Sequence, residues 1–514
     1  MGGAAGSGQA TPTSGAPAQI GGSAGTGGSD TGSANPGGAS SSAGQAGAPG
    51  GNAGAGSGGT GAGMAGGGSG GATGAVTVQL DRTRQTIDGF GINDTWNALT
   101  DAQAQSLFDP TTGLGLTILR VGMSPSGGFY NNNEASSIAA AKKHGASTII
   151  GSVWSPPANC KDNKSTTKGG HVLVSCYESW SDSITKFAKD NSLYAMSAGN
   201  EPDFASCGST IGPPCNGDYD TTLFTANEMV AFVKVLGPKL KAIGVKLISP
   251  EASEWIHIWS NTSAVGSTVA SHPNSSDPLK CGCFGTSTDC SASCASGGGY
   301  DYGHYLYKDS AAWAALDILG VHQYDTQVAE PWPADVPDRK PVWQTEMSGV
   351  KYWPEGEPSK DIQNGVAVAG WIHDALVVGD ANAWLWWWYK GQGTNEGLYL
   401  ADGSDTKRHY TFGNYSKFIR PGYVRVDVTG AVPNNVLLSA YKGASGETVL
   451  VAINRGSSAS TLPISISGGT APSSCTPTLT SASDDLKAGP AVSVSGGTLP
   501  ASLPATSVTT FVCK

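Results

Sequence analysis

The stretch Leu193-Tyr-Ala-Met-Ser-Ala-Gly-Asn-Glu-Pro202 reads as a short apolar strand that runs out into a glutamate and is stopped by a proline. Helical patterns flank it, at 180–191 before and 225–243 after. Comparable strand-like runs recur at 87–92, 117–121, 147–154, 245–249, 318–322, 342–346 and 383–388, with further helical stretches at 135–144 and 361–378. Strands alternating with helices in this way predict a (β/α)8 barrel, an α/β fold closed on itself. A doubly wound sheet shares the rhythm, but no Gly-rich phosphate loop follows an early strand, which weakens that rival.

Texture changes on both sides of the barrel. Residues 1–75 are almost entirely Gly, Ala, Ser, Thr and Pro, with nothing to bury against chain entropy, and read as a disordered low-complexity linker. Val76-Thr-Val-Gln-Leu80 then alternates apolar and polar as a half-buried strand does. From 421 onward, short alternating strands at 424–428, 436–441, 448–453 and 508–512 are punctuated by Gly, Ser and Pro and predict an antiparallel side β-sandwich. The expected domains are therefore the linker 1–75, a catalytic barrel 76–420 and the sandwich 421–514.

A formal charge of −10 argues against a nucleic-acid partner, which would call for a basic stripe. Fourteen Trp and 16 Tyr in a chain with only 14% charged residues suit a sugar ligand, whose apolar ring face lies flat on an aromatic one, although many such rings are simply core. The ten cysteines fall in local groups: 160/176, 207/215, 281/283/290/294 and 475/513. Disulfides of an exported protein are the expected use, with a zinc site as the rival for the four crowded cysteines. No run is apolar and long enough to span a membrane, and the opening Met-Gly-Gly-Ala lacks the basic and apolar regions of a signal peptide. The reading is an extracellular protein whose signal has been removed, tethered at a cell surface through the linker.

Two glutamates carry the chemistry. In a barrel, catalytic groups sit at the C-terminal ends of strands, and Glu201 closes the fourth candidate strand while Glu346 closes the seventh in Val342-Trp-Gln-Thr-Glu346. A lone carboxylate ending an apolar strand costs several kcal/mol unless it is paired, so its presence there asks for a reason. Glycosidic bond cleavage needs one protonated carboxyl and one ionised one. Asn200, beside Glu201, can bond a sugar hydroxyl. Other candidates take plainer readings first: Glu251 and Glu254, which follow the fifth strand, as ordinary acids with subsite ligands as the alternative, Asp88 as a turn residue bonding its own backbone, His322 as a satisfied core histidine.

Asn200-Glu-Pro202 and Thr345-Glu346 together with Ile87-Asp-Gly-Phe-Gly91, Ile118-Leu-Arg-Val-Gly122, Ser152-Val-Trp-Ser-Pro-Pro157 and the run from Phe412 to Gly422 resemble glycoside hydrolase family 30 over roughly 76–514. The resemblance implies a barrel fused to a side β-sandwich that also takes in a strand at about 76–85. It implies retention, with Glu201 as acid/base and Glu346 as nucleophile. It places Arg120 beneath the nucleophile and Tyr324 in hydrogen-bond contact with it. It gives Trp154, Trp384 and Trp386 to the walls of the sugar cleft or their support.

The run Gly113-Leu-Gly-Leu-Thr-Ile-Leu-Arg120 looks most like the bacterial xylan-cleaving branch, so the expected activity is a secreted endo-xylanase, with β-1,6-galactanase or β-1,6-glucanase as alternatives. Glucuronate-dependent members resemble one another in an arginine after the eighth strand. Here Trp386-Trp-Trp-Tyr-Lys-Gly-Gln-Gly393 offers Lys390, a point charge without the planar fork. From another class stands a non-catalytic carbohydrate-binding surface protein. No cofactor or metal is called for, the partner is the polysaccharide, and a monomer suffices.

Overall fold

The computed structural model describes residues 75–204, 219–259, 301–324, 329–348, 362–390, 397–400 and 402–514. The low-complexity linker and the cysteines at 207, 215, 281, 283, 290 and 294 lie outside the described residues, so the zinc alternative does too.

Eight parallel strands close into a barrel: β2 (Gly89–Asn93), β3 (Ile118–Met123), β4 (Thr148–Val153), β5 (Ala195–Ser197), β6 (Lys246–Ala252), β7 (Ile318–His322), β8 (Val342–Glu346) and β9 (Ala383–Trp386). Closure comes from β9 pairing back onto β2, Gly89 opposite Ala383 and Ile92 opposite Trp386. Period-two alternation sorts the side chains. One set, including Ile118, Ile150, Ile248, Ile318, Trp343 and Leu385, fills the lumen as a small separate core. The other set packs outward against the helices in the main core. Gly91 sits where strands approach so closely that a Cβ would lie 2.5 Å from the Ile118 carbonyl oxygen, so only glycine fits.

The helical layer contains α1 (Asp101–Phe108), α2 (Glu134–His144), α3 (Tyr177–Asp190), α4 (Ala226–Ala242), α5 (Tyr302–Lys308), α6 (Ser310–Ala315), α7 (Ile362–Val377) and α8 (Lys407–Ser416). Thr225 and Glu228 form a reciprocal capping box that starts α4, and Thr100 and Gln103 do the same for α1. The sequence reading missed α1 because its apolar stripe is only Ala104, Leu107 and Phe108. Asp88 also departs from expectation. Its carboxylate accepts the indole N–H of the lumen residue Trp343 at 2.8 Å, holding the first barrel strand to the seventh rather than closing its own turn.

The C-terminal strands form one long sheet, in the order β17 (Lys487–Ala488), β16 (Ser474–Thr480), β20 (Ser507–Cys513), β14 (Thr448–Asn454), β13 (Val436–Lys442), β12 (Val424–Thr429), β1 (Val76–Thr86), β15 (Ser460–Ser467), β19 (Thr498–Leu503). All pairs are antiparallel except β1 with β15, where the N-terminal strand enters parallel. Val76, Val78, Leu80, Leu450, Ile464, Leu499 and Phe511 share this sheet's own core. On its other face Tyr441, Val449, Val451, Ile453 and Val508 join the barrel's core. Each of the aliphatic members contributes about 1.5–3 kcal/mol when fully buried. Cys475 and Cys513, directly opposite on β16 and β20, are disulfide-bonded, as are Cys160 and Cys176 beside the barrel mouth.

Candidate active site

Glu201 and Glu346 meet at the C-terminal mouth of the barrel. Glu346 is the last residue of β8. Glu201 lies four residues beyond β5, with a left-handed backbone (φ +47) and its N–H bonded to the Glu251 carbonyl at 2.9 Å. Left-handed geometry costs a non-glycine residue about 1–3 kcal/mol and persists where the surroundings impose it, typically at functional sites. Oxygens of the two carboxylates and a ring nitrogen of His322 all lie within 4.8 Å of one another. Glu201 is 8% exposed and Glu346 5%, enough for a ligand to reach them.

Beneath them lies Arg120, on β3 and wholly buried. Its guanidinium donates to Glu346 Oε2 at 2.6 Å, Asn200 Oδ1 at 2.6 Å, Ser152 Oγ at 3.1 Å and Glu251 Oε2 at 3.2 Å. Tyr324 donates its hydroxyl to the other oxygen of Glu346 at 3.1 Å. His322 Nδ1 stands 3.1 Å from Glu201 Oε1, and its Nε2 is 3.8 Å from Glu346 Oε2. The histidine read as a plain core residue is therefore bonded to Glu201 and lies beside Glu346. Glu251, read as a residue after the fifth strand, is buried beneath the site and also accepts the Ser152 hydroxyl at 2.6 Å.

The electrostatics separate the carboxyls. Burial pushes Glu201 up to about 8, helped by Asp203 and Glu251 and opposed by Arg120. Burial pushes Glu346 up as well, but His322 and the bonded Arg120 charge oppose it. Glu251 ends below its ordinary value, because Arg120 and His322 outweigh its burial. Burial also holds His322 below its ordinary value, opposed by the Glu346 and Glu251 carboxylates. With a guanidinium in direct contact, Glu346 is the one of the pair that ionises first.

The predicted aromatic residues divide. Trp154 is buried with Arg120 against its ring, 5.0 Å from the centroid. Trp384 and Trp386 are both fully buried on the outward face of β9, whose lumen positions are Ala383 and Leu385, so of the two expected roles, lining the cleft or supporting it, burial leaves only support. Trp384 packs edge-on to Phe412 of α8 at 5.3 Å and donates to Gln323 at 3.1 Å. Neither ring can face a sugar. The aromatic cluster at the mouth is instead built around Trp96, whose ring lies 5.3 Å from Tyr130, 5.4 Å from Trp154, 5.8 Å from Trp387 and 6.2 Å from Tyr219. Trp388 adds a ring stacked 5.5 Å from Trp387. Alternation along the run 384–388 carried the signal for Trp387; Trp96, at φ +66 in a loop, had none. Asn200 lies next to Glu201 with its oxygen taken by Arg120. Lys390 ends β10 (Trp388–Lys390), which pairs in parallel with β11 (Gly397–Tyr399).

The glycosyl hydrolase family 30 beta sandwich domain matches residues 422–511. A glucuronoxylanase of Bacillus subtilis (strain 168) is 30% identical over 460 residues, spanning 86% of this chain and 92% of its own length. The chain belongs to glycoside hydrolase family 30. It is a glycoside hydrolase, and its solved relatives agree in architecture. The family 30 subfamily 8 xylanase Xyn30A from Clostridium acetobutylicum aligns with a TM-score of 0.67 at 29% identity, covering 86% of this chain and 99% of that one. A family 30 endoxylanase from Clostridium papyrosolvens aligns at 0.65 and 27%, covering 86% and 100%. Among the described residues of this family 30 chain, no helix is long and apolar enough to cross a membrane.

Proposed function

We propose that the protein is a secreted, retaining endo-β-1,4-xylanase in which Glu346 is the nucleophile and Glu201 the acid/base. The observation that supports the mechanism is that an oxygen of each carboxylate lies within 4.8 Å of an oxygen of the other, an approach that favours the shorter of the two known carboxyl spacings. Retaining enzymes hold them about 5–5.5 Å apart, whereas inverting ones leave about 6.5–9.5 Å for a water. The xylanase relatives support the substrate.

Glu346 attacks the anomeric carbon as the bond to the leaving oxygen breaks, and Glu201 gives that oxygen its proton. The glycosyl-enzyme ester is then cleaved by water, whose proton passes to the Glu201 carboxylate, releasing a sugar of unchanged configuration. Arg120 and Tyr324, one on each oxygen, fix the Glu346 carboxylate in line and keep it ionised. Esterification removes the Glu346 charge, which eases ionisation of Glu201 and readies it as the base. Asn200, anchored through its oxygen on Arg120, keeps its amide N–H group for a sugar hydroxyl.

The test is product analysis on glucuronoxylan, arabinoxylan, unsubstituted xylan and β-1,6-galactan, with the first-formed anomer followed by NMR. Xylo-oligosaccharides released first as the β anomer, and absent with Glu346→Gln, are expected. An initial α anomer would overturn retention. Cleavage of galactan or β-1,6-glucan alone would overturn the substrate, and binding without cleavage would leave a carbohydrate-binding protein. Recovery of the protein from the culture medium or cell surface is the expected outcome for location.

A further inference from the structure

A second buried network adjoins the acid. The Phe204 N–H closes a tight turn onto the Glu201 carbonyl at 3.0 Å, and Phe224 N–H ties Pro202 down at 2.9 Å. Asp203, inside that turn, is 1% exposed. Its carboxylate accepts the Ser253 N–H at 3.0 Å on each oxygen, the Ser253 hydroxyl at 2.7 Å and Nδ1 of His257. Ser253 and His257 follow β6 directly, and the Glu251 carbonyl near the end of that strand takes the Glu201 N–H. The two loops are thus laced together on either side of the acid/base residue. A carboxylate given this many donors in a buried site is held as an anion.

We propose that Asp203 is a positioning residue for the general acid: kept anionic by Ser253 and His257, it supplies fixed negative charge beside Glu201 that holds the proton on that carboxyl. This rests on the reading of Glu201 as the acid/base. The surrounding charges leave room for the effect. Arg120, the cation of the site, is bonded to Glu346 and Glu251, two carboxylates that compete for its field. His322, at 3.1 Å from Glu201, is held below its ordinary value by burial, and the groups that shift Glu201 are Asp203, Arg120 and Glu251. Asp203 follows burial as the second cause raising Glu201 to about 8. Burial would raise Asp203, but the hydrogen bond and the charge of His257 and the bonds from Ser253 outweigh it and leave Asp203 below its ordinary value.

The experiment is a set of pH profiles of kcat/KM on an aryl xylobioside with a poor leaving group. Asp203→Asn should move the alkaline limb down by about one pH unit, the size expected on removing a nearby like charge, and leave the acid limb in place. His257→Ala, which lets Asp203 take up a proton, should shift the same limb in the same direction. His257→Asn, whose amide nitrogen stands where Nδ1 stood, should restore it. A uniform loss of rate with the alkaline limb unmoved in both Asp203→Asn and His257→Ala would overturn the inference. Should Asp203→Asn fail to fold, the His257 pair gives the same readout. Glu201→Ala separates the two levels. Formation of a β-xylobiosyl azide when azide is added with an aryl xylobioside of good leaving group confirms the acid/base reading, so unmoved limbs would then refute Asp203 alone. An intact alkaline limb in Glu201→Ala would sink both.

Discussion

Replacing Arg120 with methionine should destabilise the protein by about 3–5 kcal/mol at neutral pH, the cost of breaking a buried ion pair from one side. The arithmetic starts from the contacts. The guanidinium holds Glu346 at 2.6 Å and Glu251 at 3.2 Å, and the side chains of Arg120 and Glu251 are fully buried. Methionine fills similar volume but leaves both carboxylates without their cation, and also orphans the oxygen of Asn200. Hydrogen bonds to a charged group are worth about 1.5–3 kcal/mol each, but they are not additive here because they share one ion. Against a total stability of about 5–15 kcal/mol, the loss is a large fraction.

The deficit should depend on pH in a specific direction. In the wild type, Glu251 is held below its ordinary value, so its contribution is present above the unfolded carboxylate pKa and is lost as pH falls through the folded one. Without Arg120, burial dominates and its folded pKa rises above the unfolded value. The difference between the two proteins should therefore be largest near pH 7 and shrink toward pH 4.5. Urea unfolding followed by tryptophan fluorescence at both pH values measures it. Adding Glu251→Leu to Arg120→Met should recover about 2 kcal/mol, since a buried pair replaced from both sides by apolar groups is often tolerated. A loss below about 1 kcal/mol, or one equal at pH 4.5 and pH 7, would refute the view that this guanidinium neutralises the floor of the site.

Two further outcomes are expected. Replacing Cys160 and Cys176, 16 residues apart, with serine should cost about 3 kcal/mol by loop entropy, read as a urea midpoint below that of the oxidised wild type. Lys390→Arg should raise kcat/KM on glucuronoxylan over unsubstituted xylan by about tenfold, through the bidentate grip that a lysine lacks; an unchanged ratio would remove Lys390 from substrate choice.

The barrel was legible because its strands are short apolar runs bounded by turns, and because Glu201 and Glu346 break two of those runs at the end that faces the cleft. Sheet order was less accessible. That β1 would enter parallel to β15 follows from pairing across nearly 400 residues, which no local pattern encodes. The tryptophans show the same limit at smaller scale. Composition says that a Trp-rich strand is present, but only its register, with Ala383 and Leu385 turned to the lumen, decides that Trp384 and Trp386 face the helices. Trp96 reaches the mouth from a left-handed loop position that nothing in its neighbours announces. Asp203 and His257 are 54 residues apart and meet only once the fourth and fifth strands lie side by side.

What remains is why similar glutamates in one pocket should do different work. All three are buried, and burial alone pushes each toward neutrality. The single guanidinium beneath them is shared unequally: Glu346 and Glu251 bond it, and Glu201 does not. Glu251 has no path to substrate and serves as counterion from below, which keeps Arg120 from over-stabilising Glu346 and blunting its attack. Glu201 receives the His322 ring on one side and the Asp203 carboxylate in its own turn. On the proposed mechanism the roles follow which carboxyl is given the cation, and exchanging Arg120 for a neutral residue should blur the distinction between the proposed acid and the proposed nucleophile.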